Sequence, residues 1–315
     1  MKKPLIVLTG PTSVGKTKLS IQLAKAVGGE IISADSIQVY RGMDIGSAKI
    51  TPEEMDGVRH HLIDILDPKD SFHIVMFQQL AKQAMEECCN RGHIPILVGG
   101  TGFYIQAITK DIDFSEAEQV NTYRSELEAL AKEKGAGYLH EMLRKVDPVS
   151  AREIHENNVK RVIRALEFYH QNKEPISRHN QEQKKHETPY NLAYFVLSAP
   201  RDLLYERIEA RIDEMLSQGL IEEVEGLRAQ GCKKGMVSMQ GLGYKEILSY
   251  LDGETSLEEA VRILKRDTRH FAKRQLTWFR RESDVIWVMK DEFQFDEDKI
   301  LEFMLSECKN RGIIK

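Results

Sequence analysis

The sequence has 315 residues, of which 41% are hydrophobic and 30% charged, and this composition excludes a disordered chain, a coiled coil and a collagen. At a typical domain size of about 150 residues, the length predicts two domains. The net charge of −4 does not favour a polyanionic partner, but it conceals a basic block between residues 262 and 281 with eight Lys or Arg and one acid. No apolar run is long enough to span a membrane, and the four cysteines lack zinc-site spacing, so we expect a soluble, cytoplasmic protein with no membrane partner.

Short apolar runs alternate with helical patterns along most of the chain. This alternation predicts an α/β fold with a doubly wound, mainly parallel sheet flanked by helices. The predicted strands are Leu5–Thr9, Glu30–Ala34, a weaker His61–Ile65, Ile94–Val98, Leu192–Ser198 and Val285–Met289. The predicted helices between them are Lys16–Val27, Ile74–Arg91, Arg201–Gln230 and Leu257–Arg280.

The stretch from residue 114 to residue 190 interrupts this alternation, because it holds no convincing strand. Its predicted helices are Glu118–Lys134, Tyr138–Lys145, Pro148–His155 and Asn158–Gln171. Within the last one, Val159, Val162, Ile163 and Leu166 follow helical spacing and form one apolar face. We therefore expect an all-helical insertion domain over residues 114–190, within an α/β core formed by residues 1–113 and 191–315.

The segment Gly10–Thr17 matches the phosphate-binding pattern G-x-x-x-x-G-K-[ST] at every fixed position. It lies between a predicted strand and a predicted helix, where backbone N–H groups and the helix N-terminus face an anion. The pattern assigns Lys16 to the terminal phosphate and the Thr17 hydroxyl to Mg²⁺, but it does not distinguish ATP, GTP or a diphosphate as the ligand. The predicted phosphate-binding residues are Gly10, Pro11, Thr12, Ser13, Val14, Gly15, Lys16 and Thr17.

Two acids are candidates for the metal-binding carboxylate that phosphate-loop hydrolases carry at a strand end. They are Asp35, after the second predicted strand, and Asp64, in the weaker one. The strand best suited to that role ends instead in Gly99–Gly102, where Thr101 offers a hydroxyl, although these residues are also compatible with a plain turn. Asp35 could ligate Mg²⁺ through water, act as a general base or cap a helix.

Several further segments, in the same order along the chain, resemble the family of tRNA dimethylallyltransferases, also called tRNA isopentenyltransferases. Besides the phosphate loop, they are Ser33–Lys49, His60–Asp64, Val98–Tyr104, Lys160–Glu167, Arg207–Met215, Gly243–Glu246 and Arg274–Phe279. Matches along nearly the whole chain are far more specific than a phosphate loop alone. The family often has Ala or Ser at the position of Val14, and the sequence, which contains no zinc finger of the eukaryotic type, resembles the bacterial members.

The resemblance implies transfer of a dimethylallyl group from dimethylallyl diphosphate to N6 of the adenosine 3′-adjacent to the anticodon in tRNA. The phosphate loop then holds a diphosphate with Mg²⁺ on Thr17. The exocyclic amine is a poor nucleophile, and the resemblance assigns Asp35 as its general base. It assigns Thr101 and Arg211 to the stabilisation of the leaving diphosphate. Arg207 lies one helical turn before Arg211, and both are also spaced for ordinary ion pairs with neighbouring acids.

The resemblance also implies which residues contact tRNA, whose target base must leave its stack to reach a buried site. They are Asp35, Ser36, Ile37, Gln38, Thr101, Arg124, Lys160, Arg161, Val162, Ile163, Arg164, Gln240, Gly243, Tyr244 and Lys245. Arg262, Arg266, Arg269 and Lys273 recur at helical spacing and predict one basic stripe, of which the last three are assigned to tRNA phosphates. Without the resemblance, such charges would be an ordinary solvated helix face.

Other functions fit parts of the pattern. A P-loop kinase or NTPase would place Asp35 or Asp64 on Mg²⁺ and turn over ATP, and an adenylate isopentenyltransferase would prenylate free AMP or ADP. A non-catalytic RNA-binding protein would need neither the phosphate loop nor Asp35. The basic insertion helix and the stripe favour tRNA over a free nucleotide. We therefore expect a monomeric transferase whose partners are the tRNA anticodon stem-loop and dimethylallyl diphosphate.

Overall fold

The computed structural model describes residues 2–114, 121–184 and 186–315, which form two compact units. One unit combines Met1–Thr109 with Thr188–Lys315, and the other is Lys110–Glu187. The second unit thus begins and ends a few residues before the insertion expected over residues 114–190. In the described ranges, no helix has both the length and the apolar character that crossing a membrane requires.

The first unit is built on a six-stranded sheet in which all the described neighbouring strands are parallel. Its strands are β1 (Lys3–Thr9), β2 (Gly29–Ser33), β3 (His60–His61), β4 (Ile94–Gly99), β5 (Tyr190–Ser198) and β6 (Ile286–Met289). Their spatial order, β3-β2-β4-β1-β5-β6, confirms the predicted doubly wound α/β class. The predicted third strand, His61–Ile65, is shortened because Leu62 and Asp64 adopt left-handed φ angles of 63° and 56°.

The helices of the described residues include most of the predicted ones. They are α1 (Lys16–Val27), α2 (Pro52–Met55), α3 (Ile74–Asn90), α4 (Gly102–Thr109), α5 (Asn121–Lys134), α6 (Ala136–Val146), α7 (Pro148–Glu153), α8 (Val159–Asn172), α9 (Ile176–Lys184), α10 (Arg201–Ser217), α11 (Leu220–Ala229), α12 (Tyr244–Leu251), α13 (Leu257–Phe279) and α14 (Glu297–Asn310). The predicted helix Arg201–Gln230 is two helices, because Gly219, with φ 101°, separates α10 from α11. Helix α4, which begins at Gly102, was not among the predicted helices.

Helices cover both faces of the sheet, which explains why its strands are apolar in sequence. Within β1, Leu5 and Val7 belong to one buried cluster, whereas Ile6 and Leu8 belong to another. The first cluster includes side chains from α3, α10 and α13, and the second includes side chains from α1 and α14. Because all the strands are parallel, their carboxyl ends meet at one edge, where open α/β sheets bind ligands.

The second unit contains helices α5–α9. Its buried core includes Leu127, Leu139, Leu143, Val162, Ile163 and Leu166. Asp147, which caps α7, accepts hydrogen bonds from the backbone N–H and the hydroxyl of both Ser150 and Ser177, and thereby ties α9 to α7. Residues 118–120 of the predicted helix Glu118–Lys134 lie outside the described residues.

Candidate active site

The phosphate loop, Gly10–Thr17, joins the carboxyl end of β1 to the first turn of α1. Its two glycines have φ angles of 147° and 91°, which disfavour other residues. A Cβ on Gly10 would also lie 2.5 Å from the carbonyl oxygen of Leu197, so β5 leaves no room for a side chain. The loop therefore has the backbone that lets successive N–H groups and the α1 N-terminus face an anion.

Lys16 is held inside the loop by its own backbone. Its ammonium donates hydrogen bonds to the carbonyl oxygens of Gly10 and Pro11, at 3.0 and 2.8 Å. Burial, and then the charge of Arg211, lower the pKa of Lys16 to about 8, while Asp35 acts in the opposite direction. Burial likewise lowers the pKa of Arg211, and Asp35 partly offsets that effect. The three side chains predicted to act together thus lie within electrostatic reach of one another.

Asp35 lies just beyond β2, in a turn rather than at the start of a helix. Its Oδ1 accepts hydrogen bonds from the backbone N–H groups of Ile37 and Gln38, at 2.8 and 3.3 Å. No described residue donates a hydrogen bond to its other oxygen, Oδ2. One carboxylate oxygen therefore shapes the turn, while the second can take a proton or a metal-bound water.

Thr101 lies at the end of β4, immediately before α4. Its backbone N–H donates to the carbonyl oxygen of Ala34, the residue before Asp35, at 3.3 Å. The close approach requires Gly99, since a Cβ there would lie 2.3 Å from the same oxygen. The β4 end thus presents a half-buried hydroxyl residue beside Asp35, where a hydrolase of this fold would carry an acid.

Two buried side chains that the sequence analysis did not assign to the site also contact the phosphate loop. The Gln275 side chain accepts a hydrogen bond from Thr12 N–H and donates one to Gly100 O, both at 2.9 Å. Lys290, directly after β6, donates to the Val14 carbonyl at 3.4 Å. Gln275 lies in a segment that resembles the family, and that resemblance could have identified it as a site residue. No local sequence pattern indicated Lys290.

The alternative acid, Asp64, is neutralised by a buried lysine. Lys49 has a side chain that is only 4% exposed, and its ammonium lies 2.5 Å from Asp64 and 2.6 Å from Asp44. It also donates a hydrogen bond to the Tyr40 carbonyl at 2.7 Å. Asp64 is therefore engaged in an ion pair with Lys49, which disfavours Asp64 as a metal-binding acid in addition to Asp35.

Several residues expected to contact tRNA are placed so that their side chains are not available for it. Val162 and Ile163 are buried in the core of the second unit, so their side chains pack there rather than facing outward. Tyr244 is fully buried as well, and its hydroxyl donates to Glu223 at 2.8 Å. The apolar face of α8 and Tyr244 in the first turn of α12 pack inside the protein. The polar residues next to them face outward.

The remaining expected tRNA contacts are polar or lie in turns. Ser36, Ile37 and Gln38 are half-buried beyond the end of β2, whereas Lys160, Arg161, Arg164, Gln240 and Lys273 are exposed. Four basic residues are already paired with acids: Arg124 with Glu167, Lys245 with Glu246, Arg266 with Asp267 and Arg269 with Glu209. Gly243 has a φ of 94° and precedes α12, where its N–H donates to Glu246.

The parallel sheet and the phosphate loop define a P-loop protein of the α/β class. Residues 38–282 match the family model described as IPP transferase, and the chain belongs to this family. A tRNA dimethylallyltransferase of Lachnoclostridium phytofermentans is 58% identical and covers 99% of this chain and 100% of its own. One of Carboxydothermus hydrogenoformans is 48% identical, with 98% of each chain covered.

Solved structures agree with this assignment. The tRNA isopentenylpyrophosphate transferase of Bacillus halodurans superimposes with a TM-score of 0.73 at 46% identity, covering 99% of this chain and 98% of its own. A eukaryotic dimethylallyltransferase acting on tRNA gives a TM-score of 0.78 at 30% identity, covering 91% of this chain and 74% of its own. Membership of this family is consistent with a divalent metal and a tRNA substrate.

Proposed function

We propose that this protein transfers the dimethylallyl group of dimethylallyl diphosphate to N6 of the adenosine 3′-adjacent to the anticodon in tRNA, releasing diphosphate. The observation that carries the proposal is the position of Asp35 and Thr101 on neighbouring strand ends, where the Thr101 N–H bonds to Ala34, the residue before Asp35. A base and a neutral hydroxyl suit attack by an amine and departure of a diphosphate. The relatives, at 48–58% identity over nearly the full chain, support the same reaction.

The diphosphate is proposed to bind the phosphate loop, residues Gly10, Pro11, Thr12, Ser13, Val14, Gly15, Lys16 and Thr17. Lys16 would exchange its hydrogen bonds to the loop carbonyls for diphosphate oxygens. The Thr17 hydroxyl, exposed in the first turn of α1, fits Mg²⁺, which usually takes one or two protein ligands and completes its shell with phosphates and water. When bound, Mg²⁺ supplies positive charge to the diphosphate.

The chemical step is proposed to be a substitution at C1 of the dimethylallyl group. The N6 lone pair forms the new C–N bond, Asp35 accepts the N6 proton, and the C1–O bond electrons leave with the diphosphate. Arg211 and Lys16 stabilise the growing negative charge, and Thr101 donates a hydrogen bond to the leaving oxygen. A carboxylate in place of Thr101 would repel that oxygen.

The acceptor is proposed to be an anticodon stem-loop whose target base leaves its stack. Its contacts are assigned to Asp35, Ser36, Ile37, Gln38, Thr101, Arg124, Lys160, Arg161, Arg164, Gln240, Gly243, Lys245, Arg266, Arg269 and Lys273. The exposed basic side chains are expected to supply most of the attraction for tRNA phosphates. The basic side chains that are paired with acids must first break those ion pairs. A monomeric state and a cytoplasmic location complete the proposal, and gel filtration and cell fractionation test them.

The test is one assay with labelled dimethylallyl diphosphate, in which unmodified tRNA, AMP and ATP are offered in parallel as acceptors. Label in tRNA, and none in AMP, is the expected result. Label in AMP would instead identify an adenylate isopentenyltransferase. ATP hydrolysis without any labelled product would identify a P-loop kinase or NTPase and overturn the proposal.

A further inference from the structure

A single buried side chain joins the two loops that form the proposed donor site. The side-chain oxygen of Gln275 accepts a hydrogen bond from the Thr12 N–H in the phosphate loop, and its amide donates one to Gly100 O, before Thr101. Both bonds are 2.9 Å long. An amide group can accept and donate at the same time, and here both capacities are used.

The surroundings of Gln275 leave it little freedom. The residue is only 6% exposed, on a face of α13 that also carries the buried Ala272 and Phe279. A Cβ on Gly100 would lie 2.2 Å from Nε2 of Gln275, so this contact requires a glycine in the partner loop. Buried polar groups that lose their partners are costly, so Thr12 N–H and Gly100 O depend on this side chain.

We propose that Gln275 is a positioning residue that fixes the distance between the phosphate loop and Thr101, and so aligns the departing diphosphate with its hydrogen-bond donor. This inference rests on the proposed function, because diphosphate is the product of that reaction. The side-chain hydrogen bonds of Gln275 go to the backbone of the two loops, so in this proposal it acts on the reaction through them. Its effect must therefore appear in constants for the diphosphate group, and in kcat, rather than in tRNA affinity.

The experiment compares four proteins with the wild type. Gln275→Met keeps the length of the side chain but removes both hydrogen bonds, and Gly100→Ala displaces the intact Gln275 amide. Gly100 does not have a positive φ, so alanine adds this displacement without backbone strain. The double variant completes a mutant cycle. Thr277→Ala is the control, since the bond that its exposed hydroxyl donates among the described residues goes to the Lys273 carbonyl in the same helix.

The measurements are KM for dimethylallyl diphosphate, the inhibition constant of inorganic diphosphate, kcat, and tRNA affinity by filter binding. We expect each single variant to raise the inhibition constant and KM about tenfold, the scale of one buried hydrogen bond. Loss of alignment should lower kcat by up to about 10²-fold. The double variant should be no worse than either single one, and tRNA affinity and the Thr277→Ala protein should stay as in the wild type.

Two results would overturn the inference. The first is a folded Gln275→Met protein with wild-type constants for both diphosphates, and the second is a double variant whose effects multiply. Circular dichroism establishes that each protein is folded. If Gln275→Met does not fold, the Gly100→Ala protein still tests the inference, because its added methyl group displaces the same Gln275 amide. A wild-type protein that neither binds diphosphate nor modifies tRNA would contradict the proposed function instead.

Discussion

The backbone N–H of Thr101 donates to the carbonyl oxygen of Ala34 at 3.3 Å, so the ends of β4 and β2 are directly joined. Asp35 follows Ala34, and the contact therefore holds the proposed base and the proposed donor to the leaving group on adjacent strand ends. Parallel strands make this juxtaposition natural, because their carboxyl ends lie at one edge. In the proposed reaction, this one contact would therefore position both the group that takes the proton and the group that hydrogen-bonds the leaving diphosphate.

Replacement of Asp35 should affect chemistry more than binding. Asp35→Asn keeps an oxygen that can accept from the Ile37 and Gln38 N–H groups, so the turn should persist, but the amide cannot take a proton. We expect kcat to fall by about 10²–10⁴-fold, the range for loss of a general base. Single-turnover kinetics with labelled donor measure the step, and Asp291→Asn, on an exposed residue, is the control. A near-normal rate with intact tRNA binding would exclude Asp35 as the base.

Diphosphate binding should weaken as pH rises through about 8, the pKa to which burial and Arg211 lower Lys16. Below that pH the ammonium is charged and attracts the anion, whereas above it binding must take up a proton, so Kd rises by up to about tenfold per pH unit. Calorimetry from pH 6.5 to 9.5 measures the slope. Lys16→Met should bind more weakly and without this slope, while the control Lys25→Met should follow the wild type. A wild-type affinity in Lys16→Met would remove Lys16 from the site.

Lys273 should contribute more salt-dependent tRNA binding than its neighbours on α13. Arg266 and Arg269 are paired with Asp267 and Glu209, whereas Lys273 is exposed and has no acid partner among the described residues. Lys273→Ala should make the plot of log affinity against log salt less steep by about 0.7–0.9, which is the contribution of one phosphate contact. Filter binding between 50 and 200 mM salt measures this slope, with exposed Lys309→Ala as control. Equal slopes in both variants would make the stripe an ordinary solvated face.

Glu30 should stabilise the first unit in a pH-dependent way. Its buried carboxylate accepts two hydrogen bonds from Arg91, at 2.7 and 2.8 Å, and lies within 2.7 Å of His61 and His93. The Arg91 hydrogen bonds hold the pKa of Glu30 well below its usual range. Glu30→Gln should lower the free energy of unfolding by about 3 kcal/mol, the low end for a broken buried pair, because Arg91 stays partly hydrated.

The sign of this pH dependence follows from the lowered pKa. The carboxylate is charged in both states above about pH 5, so its full contribution is present there and is lost as pH falls below about 4.3, the unfolded value. Urea unfolding at pH 7 and pH 3.5 measures it, with the exposed Glu302→Gln as control. A difference between wild type and Glu30→Gln that grows on acidification would contradict the assignment.

The predictions that succeeded from sequence rest on local patterns. Lys16–Val27 is the same helix in the structure as in the sequence analysis, because its apolar spacing and the flanking glycines define both ends within a few residues. The strands are recovered within one or two residues except at His61–Ile65, where left-handed residues after His61 interrupt the extended backbone. Helix α4 was missed, since Gly99–Gly102 gives the local signal of a turn although α4 begins at Gly102.

Side-chain roles were harder to predict, because a helix face does not reveal what covers it. Tyr244 lies in a segment that resembles tRNA-contacting positions, yet it is buried and donates to Glu223. Asp64 has the sequence context of a metal-binding acid, yet its carboxylate forms an ion pair with Lys49. In both cases the contacting side chain comes from a different part of the chain.

By itself, the sequence determined the α/β class, the phosphate loop and the family, since these follow from the alternation of apolar patterns, one short motif and a series of matching segments, all of which can be read along the chain. Only the tertiary structure decided which side chains support the loop. Gln275 reaches Thr12 across 263 residues, and Lys290 reaches Val14 across 276. Such contacts depend on how α13 packs on the face of β1 and β4 and on how β6 pairs with β5, and packing is a property of the assembled core rather than of any segment within it.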